Sequence, residues 1–132
     1  MLYLLDTNIC IYFLNRTSAN ITNHFKQLAP SKIKLSSITV AELFYGAEKS
    51  KAKHRNWETV KNFVSTFEIV PFEVNSSKVY AKIRTTLEKS GAPIGPMDLL
   101  IGSISLANNF VLVTNNIREF KRIKDLKVEN WL

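Results

Sequence analysis

A single cysteine, Cys10, in a chain of 132 residues leaves no internal disulfide to form and no Cys-rich zinc cage to build. Cys10 lies between Ile9 and Ile11, with no base beside it, so it reads as a packed thiol rather than a nucleophile. That cysteine usage fits a reducing cytoplasm. Histidine is also scarce, and His24 and His54 sit in unrelated polar contexts, which argues against a paired-histidine acid–base site. Glycine and proline number four each and fall between periodic segments, so no linker, repeat or low-complexity run divides the chain. No apolar stretch approaches the roughly 18 residues of a membrane-spanning helix. Met1-Leu2-Tyr3-Leu4-Leu5 is apolar but stops at Asp6, and it lacks the basic start and small-residue cleavage site of a signal peptide. Acidic residues are outnumbered 11 to 18 by Lys and Arg, for a net charge of +7, which favours an anionic partner without choosing among nucleic acid, acidic protein and membrane surface.

What is present is an ordinary globular composition, 45% hydrophobic and 22% charged, and one domain's length, residues 1–132. Residues 2–5, 32–36, 68–72, 110–114 and 128–132 read as short strands, and the fourth is apolar throughout, as in a strand buried on both faces. Residues 9–14, 19–28, 37–49, 53–67, 76–89 and 96–107 read as helices. Asn8 is a plausible cap for the first, Gly91 stops the fifth, and Pro96 suits the first turn of the sixth. Residues 118–120 lead into a short basic helix or turn. Strands alternating with helices predict an α/β layer structure with a mainly parallel sheet. In such sheets ligands bind beyond the carboxyl ends of the strands, so the residues just after each strand are the ones to inspect.

Three acids occupy such places. Asp6 follows the first strand, Glu42 lies in the first turns of the helix after the second, and Asp98 is in the first turn of the helix begun at Pro96. Each has a plain structural explanation: a turn at Asp6-Thr7-Asn8, a Thr39–Glu42 capping box, a helix-dipole partner at Asp98. Their neighbours weaken those explanations. Asp6 lies between Leu4-Leu5 and Ile9, Glu42 between Ala41 and Leu43-Phe44, and Asp98 between Met97 and Leu99. Carboxylates among core residues are costly unless paired or bound to a cation. Oxygen-only donors suit Mg2+, with Mn2+ as a substitute, and such a cation supports phosphodiester hydrolysis without a covalent nucleophile. Past the fourth strand, Thr114 is placed to donate to a phosphate or orient a ligand, Asn116 to bond a water, and Glu119 to add a carboxylate.

Together these segments resemble the PIN-domain family, and more closely the VapC-type toxins of bacterial toxin–antitoxin pairs. Leu5-Asp6-Thr7-Asn8 resembles the family's opening motif. Ser36-Ser37-Ile38-Thr39-Val40-Ala41-Glu42-Leu43 with Tyr45-Gly46 resembles the second, and Pro93-Ile94-Gly95-Pro96-Met97-Asp98-Leu99-Leu100-Ile101 the third. Leu112-Val113-Thr114-Asn115-Asn116 and Arg118-Glu119-Phe120, with residues 126–131, resemble its C-terminal end. The resemblance covers nearly the whole chain. It implies an α/β/α sandwich, Mg2+-dependent endoribonuclease activity, and neutralisation by a cognate antitoxin whose helix packs into an apolar groove. It further implies a homodimer or higher toxin–antitoxin assembly, and a structured RNA such as tRNA as substrate. By resemblance Asp6, Glu42 and Asp98 are the acidic site residues. Where many relatives carry a fourth Asp, this chain has Asn116, which leaves Asn116 or Glu119 as the fourth group and one metal or two.

Two basic clusters are candidate phosphate tracks: Lys49, Lys51, Lys53 and Arg55, and Arg118, Lys121, Arg122 and Lys124. Aromatic residues at Phe44, Tyr45, Trp57 and Phe63 are candidates for self-association. The competing functions are a catalytically silent RNA- or protein-binding module, to which Asn116 lends support, a phosphotransferase using Asp6 as acceptor, and a structural partner protein. The phosphotransferase pattern wants a second Asp two residues after the first, where this chain has Asn8. A purely structural role leaves three acids among apolar residues unexplained.

Overall fold

The computed structural model describes residues 1–132. Five short strands, each three or four residues long, form one sheet: β1 (Tyr3–Leu5), β2 (Ile33–Ser36), β3 (Glu68–Val70), β4 (Val111–Val113) and β5 (Lys127–Glu129). Their order is β3-β2-β1-β4-β5, and every pairing is parallel. Seven α-helices connect them: α1 (Thr7–Leu14), α2 (Ala19–Gln27), α3 (Ser37–Glu48), α4 (Lys53–Ser65), α5 (Val74–Lys89), α6 (Pro96–Ala107) and α7 (Ile117–Phe120).

The pleat divides the core into two layers, because successive side chains point to opposite faces. Leu5, Ile33, Leu35 and Val113 join Ile9, Cys10, Leu43 and Phe63 on one side of the sheet. Leu4, Val70 and Leu112 join Ile101, Ile104 and Phe120 on the other. The expected α/β/α sandwich is therefore the observed architecture. β1 lies at its centre with Leu4 and Leu5 fully buried, one in each layer.

Three local details differ from the sequence reading. First, α1 starts at Thr7 with Asp6 as its N-cap residue, so Asn8 lies inside the helix and does not cap it. Second, residues 32–36 alternate in polarity, yet all four residues of β2 are buried. The strand is interior, and Lys34 lays its stem in the sheet while its Nζ reaches Glu68 on the edge strand β3, 3.1 Å away. Third, Thr39 and Glu42 form no capping box. The cap of α3 is Ser36, whose Oγ accepts from the Thr39 N–H at 3.0 Å, leaving Glu42 a turn inside the helix. Gly91 does end α5: its φ of 71° is a left-handed conformation, and the next N–H, of Ala92, returns to the Leu87 carbonyl at 3.0 Å.

Candidate active site

Because the strands are parallel and Leu5 lies level with both Leu35 and Val113, their carboxyl ends finish on one edge. Asp6, Ser36 and Thr114 stand at that edge, and α1 and α3 begin there. Asp6 is only 3% exposed. Its backbone N–H continues the ladder to the Val113 carbonyl at 2.9 Å, which fixes where its side chain leaves the sheet. The Thr114 hydroxyl, fully buried, donates to Asp6 Oδ2 at 2.7 Å and accepts the Asn116 N–H at 2.9 Å. Burial raises the Asp6 pKa, the Thr114 bond and the N–H groups of Thr7 and Asn8 oppose the rise, and the charge of Glu42 adds to it.

Glu42, half-buried on α3, is held from α1. Thr7 Oγ1 donates to Glu42 Oε1 at 2.5 Å and lies 3.0 Å from Thr39 Oγ1. A hydroxyl carries one proton, so with Thr7 donating to Glu42, Thr39 is the donor to Thr7. Asp98 enters from α6, in the first turn after Pro96, half-buried beneath the turn at Gly95. Its pKa is raised to about 6, first by burial, then by the charges of Asp6, Glu119 and Glu42, with the Asn116 amide working against them. The Asn116 Nδ2 donates to Glu119 Oε2 at 3.0 Å and, at a longer 3.4 Å, to Asp98 Oδ2.

The structure thus brings Asp6, Glu42, Asp98, Asn116 and Glu119 to one place. Asn116 acts there as a donor between two carboxylates, and Glu119 is the acid beside it. No three His, Cys, Asp or Glu side chains close tightly enough to cage an ion unaided. Such a donor set fits a hard divalent cation that keeps part of its water shell, since it is all oxygen and mutually repelling.

Thr7 and Tyr12 also belong to the site's surroundings, though nothing in the sequence marks them as the acids are marked. Tyr12 Oη accepts from the Asn115 amide at 3.2 Å, which ties α1 to the loop after β4. A threonine directly after Asp6, at the start of a helix that is mostly apolar beyond Asn8, is the available signal for Thr7. Thr114, which the sequence places to orient a ligand, faces Asp6. Cys10 is fully buried, and burial pushes its thiol far above the usual range. The histidines lie on different helices: His24 stacks on Trp131, ring centroids 4.8 Å apart, and His54 is exposed on α4.

Of the first basic cluster, Lys53 pairs with Glu48 at 2.6 Å and Lys49 covers the Tyr45 ring at 4.8 Å. In the second, Arg122 donates to the Pro93 carbonyl at 2.9 Å, and Arg118, Lys121 and Lys124 are exposed. Among the aromatics, Phe63 is core, Phe44 packs on Trp57 at 4.7 Å, and Tyr45 and Trp57 are 65% and 41% exposed. No helix is long and apolar enough to cross a membrane.

Comparison with known proteins agrees with this geometry. Residues 3–126 match the model of the PIN domain. The chain is 47% identical over 132 residues to Ribonuclease VapC2 of Rickettsia felis, covering 99% of this chain and 98% of that one. It is 39% identical over 129 residues to the tRNA(fMet)-specific endonuclease VapC of Salmonella typhimurium, covering 98% and 97%. Its fold superposes with a TM-score of 0.93, at 46% identity over the full length of both chains, on the crystal structure of VapBC2 from Rickettsia felis bound to a promoter DNA fragment. With its parallel sheet, its carboxylates at the strand edge and this full-length similarity, the chain belongs to the PIN domain family, within the VapC group.

Proposed function

We propose that this protein is an Mg2+-dependent endoribonuclease, the toxin of a toxin–antitoxin pair, which hydrolyses phosphodiester bonds in a structured RNA such as tRNA. The observation that carries the proposal is the convergence of Asp6, Glu42, Asp98 and Glu119 at the carboxyl edge of the sheet, close enough that three of them raise the pKa of the fourth. Like charges are not gathered in a half-buried cleft for stability, since each makes the others harder to ionise. Relatives named as ribonucleases support the reaction class.

Asp6 and Asp98 would hold the cation, with Glu42 completing the set or orienting the attacking water. A bound Mg2+ supplies charge stabilisation to the phosphodiester and a lowered pKa for water. The chain's own contribution is position. Thr114 aims Asp6 and opposes the rise in its pKa, and the Asn116 amide bridges Asp98 and Glu119. Thr7 occupies one oxygen of Glu42, so the other is the one free to accept from a water. Asp98→Asn should abolish cleavage of RNA and leave the fold intact; cleavage at the wild-type rate would contradict the assignment.

The antitoxin would pack into the apolar groove of about 670 Å³ between α1, α2 and α4, floored by Phe13, Phe25, Phe63 and Phe67. Arg16 and Lys26 line the same groove and suit acidic groups on the partner helix. Leu14 and Thr59 also line a second groove of about 380 Å³ that Glu42 borders, so an extended partner would run towards the carboxylates. Solved VapBC complexes among its relatives support such a partner. The exposed Tyr45 and Trp57 support a homodimer face on α3 and α4, which sedimentation of a Tyr45→Glu, Trp57→Glu variant tests.

A further inference from the structure

Four carboxylates at the site repel the polyanion that the proposed reaction would bring to them. A polyanionic backbone is held beside such a site only by cations placed next to it, since exposed charges lose their reach beyond about 8 Å at physiological salt. The two basic clusters differ on this point. Lys49 lies seven residues beyond Glu42 along α3 and its capping position, about 10 Å at the helical rise. Two of that cluster's four cations are engaged, Lys53 by Glu48 and Lys49 by the Tyr45 ring, and the other two, Lys51 and Arg55, follow further along the chain from Glu42.

The cluster on α7 and the turn after it is placed differently. Arg118 is the residue before Glu119 and two after Asn116, both of which belong to the site. Arg122 grips the carbonyl of Pro93, in the segment that leads directly to Gly95 and Asp98. Arg118, Lys121, Arg122 and Lys124 are all exposed, and none takes part in the chain's three ion pairs. α7 and the turn after it therefore form a cationic rim, free of ion pairs, beside the acidic cleft.

We infer that the RNA backbone flanking the scissile phosphate runs along this α7 rim, with Arg118, Lys121 and Lys124 as its phosphate contacts, and not along the α3–α4 cluster. The inference rests on the ribonuclease reading. Arg122 is left out of the contact set because its guanidinium is already committed to Pro93.

The test is binding of end-labelled bulk tRNA to full-length protein in the Asp98→Asn background, read by anisotropy over a range of salt. Cleavage of the same tRNA by the parent and by each cluster variant is measured alongside. Removing three phosphate contacts (Arg118→Ala, Lys121→Ala, Lys124→Ala) should weaken binding about tenfold or more and make the log affinity–log salt slope shallower by about 2. The matched Lys49→Ala, Lys51→Ala, Arg55→Ala variant should bind as the parent does. Equal losses from both clusters, or a loss confined to the α3–α4 variant, would overturn the inference. A parent protein that cleaves tRNA while the α7 variant binds and cleaves unchanged would overturn it too, with the ribonuclease reading intact. A parent that neither binds nor cleaves RNA with Mg2+ would overturn both.

Discussion

Thr114 and Asp6 are 108 residues apart in sequence and 2.7 Å apart in space, hydroxyl to carboxylate, at the ends of neighbouring strands. The bond is fully buried and opposes the rise in the Asp6 pKa that burial causes. Thr114→Val keeps the shape and removes the donor. A hydrogen bond to a charged group contributes about 1.5–3 kcal/mol. The variant should therefore lose about 10- to 100-fold in RNA cleavage at neutral pH, with Thr114→Ser retaining most of the activity. Cleavage rates of the two variants, compared at equal folded fraction, check it.

Asp98 sets the pH dependence of the metal-free protein. Its pKa is about 6 in the folded chain against an ordinary 3.8, so the folded state binds the proton more tightly than the unfolded one. Its contribution to stability is complete below about pH 4 and is lost as pH rises through about 6. The full gap would be worth about 3 kcal/mol, and water screening at this half-exposed group brings the expected effect nearer 1 kcal/mol. Asp98→Asn should therefore stabilise the metal-free protein at pH 7.5 by about that amount and leave it unchanged near pH 4. Urea melts at the two pH values read this directly.

Much of this arrangement was legible in the sequence, because local signals and global fold agree over most of the chain. The strand–helix alternation and the Pro96 helix start all hold. So does the convergence of Asp6, Glu42 and Asp98, which follows from the rule that parallel sheets present their sites at the carboxyl edge. The strand order was beyond reach, since nothing in residues 2–5 marks them as the central strand. The burial of Lys34 is not legible from polarity, because a long side chain can be buried along its stem while its amine reaches Glu68. The Thr39–Glu42 spacing imitated a cap because Ser36, one turn earlier, carries the same chemistry. Thr7 was overlooked as a site residue because its role depends on Glu42, a contact 35 residues away.

Magnesium should stabilise the folded protein through the same carboxylates. At one hundred times its Kd a ligand of the folded state adds about 2.7 kcal/mol. A rise in Tm of several degrees on adding MgCl2 at pH 7.5, reversed by EDTA, is expected. The rise should shrink at pH 5, where Asp98 is protonated, and be absent in Asp6→Asn. An equal rise in Asp6→Asn would place the cation elsewhere.

Two glycines separate packing from propensity. Gly102, inside α6, would set a Cβ 2.9 Å from Ile123 Cδ1 and 3.4 Å from Phe120 Cε1, both in the buried layer under α7. Gly102→Ala gains about 0.5–1 kcal/mol in helix propensity and loses about 1–3 kcal/mol to overpacking. A net loss near 1 kcal/mol is expected, with reduced activity because Phe120 adjoins Glu119. Gly46, inside α3, has nothing within 4 Å of the added Cβ, so Gly46→Ala should stabilise by about 0.5–1 kcal/mol. Denaturation midpoints of both variants decide the signs.

The most direct test of the central claim is cleavage of a total small-RNA pool by partner-free, folded protein, with Mg2+ and with EDTA, for the wild type and Asp6→Asn. Discrete RNA fragments that require both Mg2+ and Asp6 are the predicted result. Absence of cleavage with any divalent metal, or undiminished cleavage by Asp6→Asn, would contradict the account.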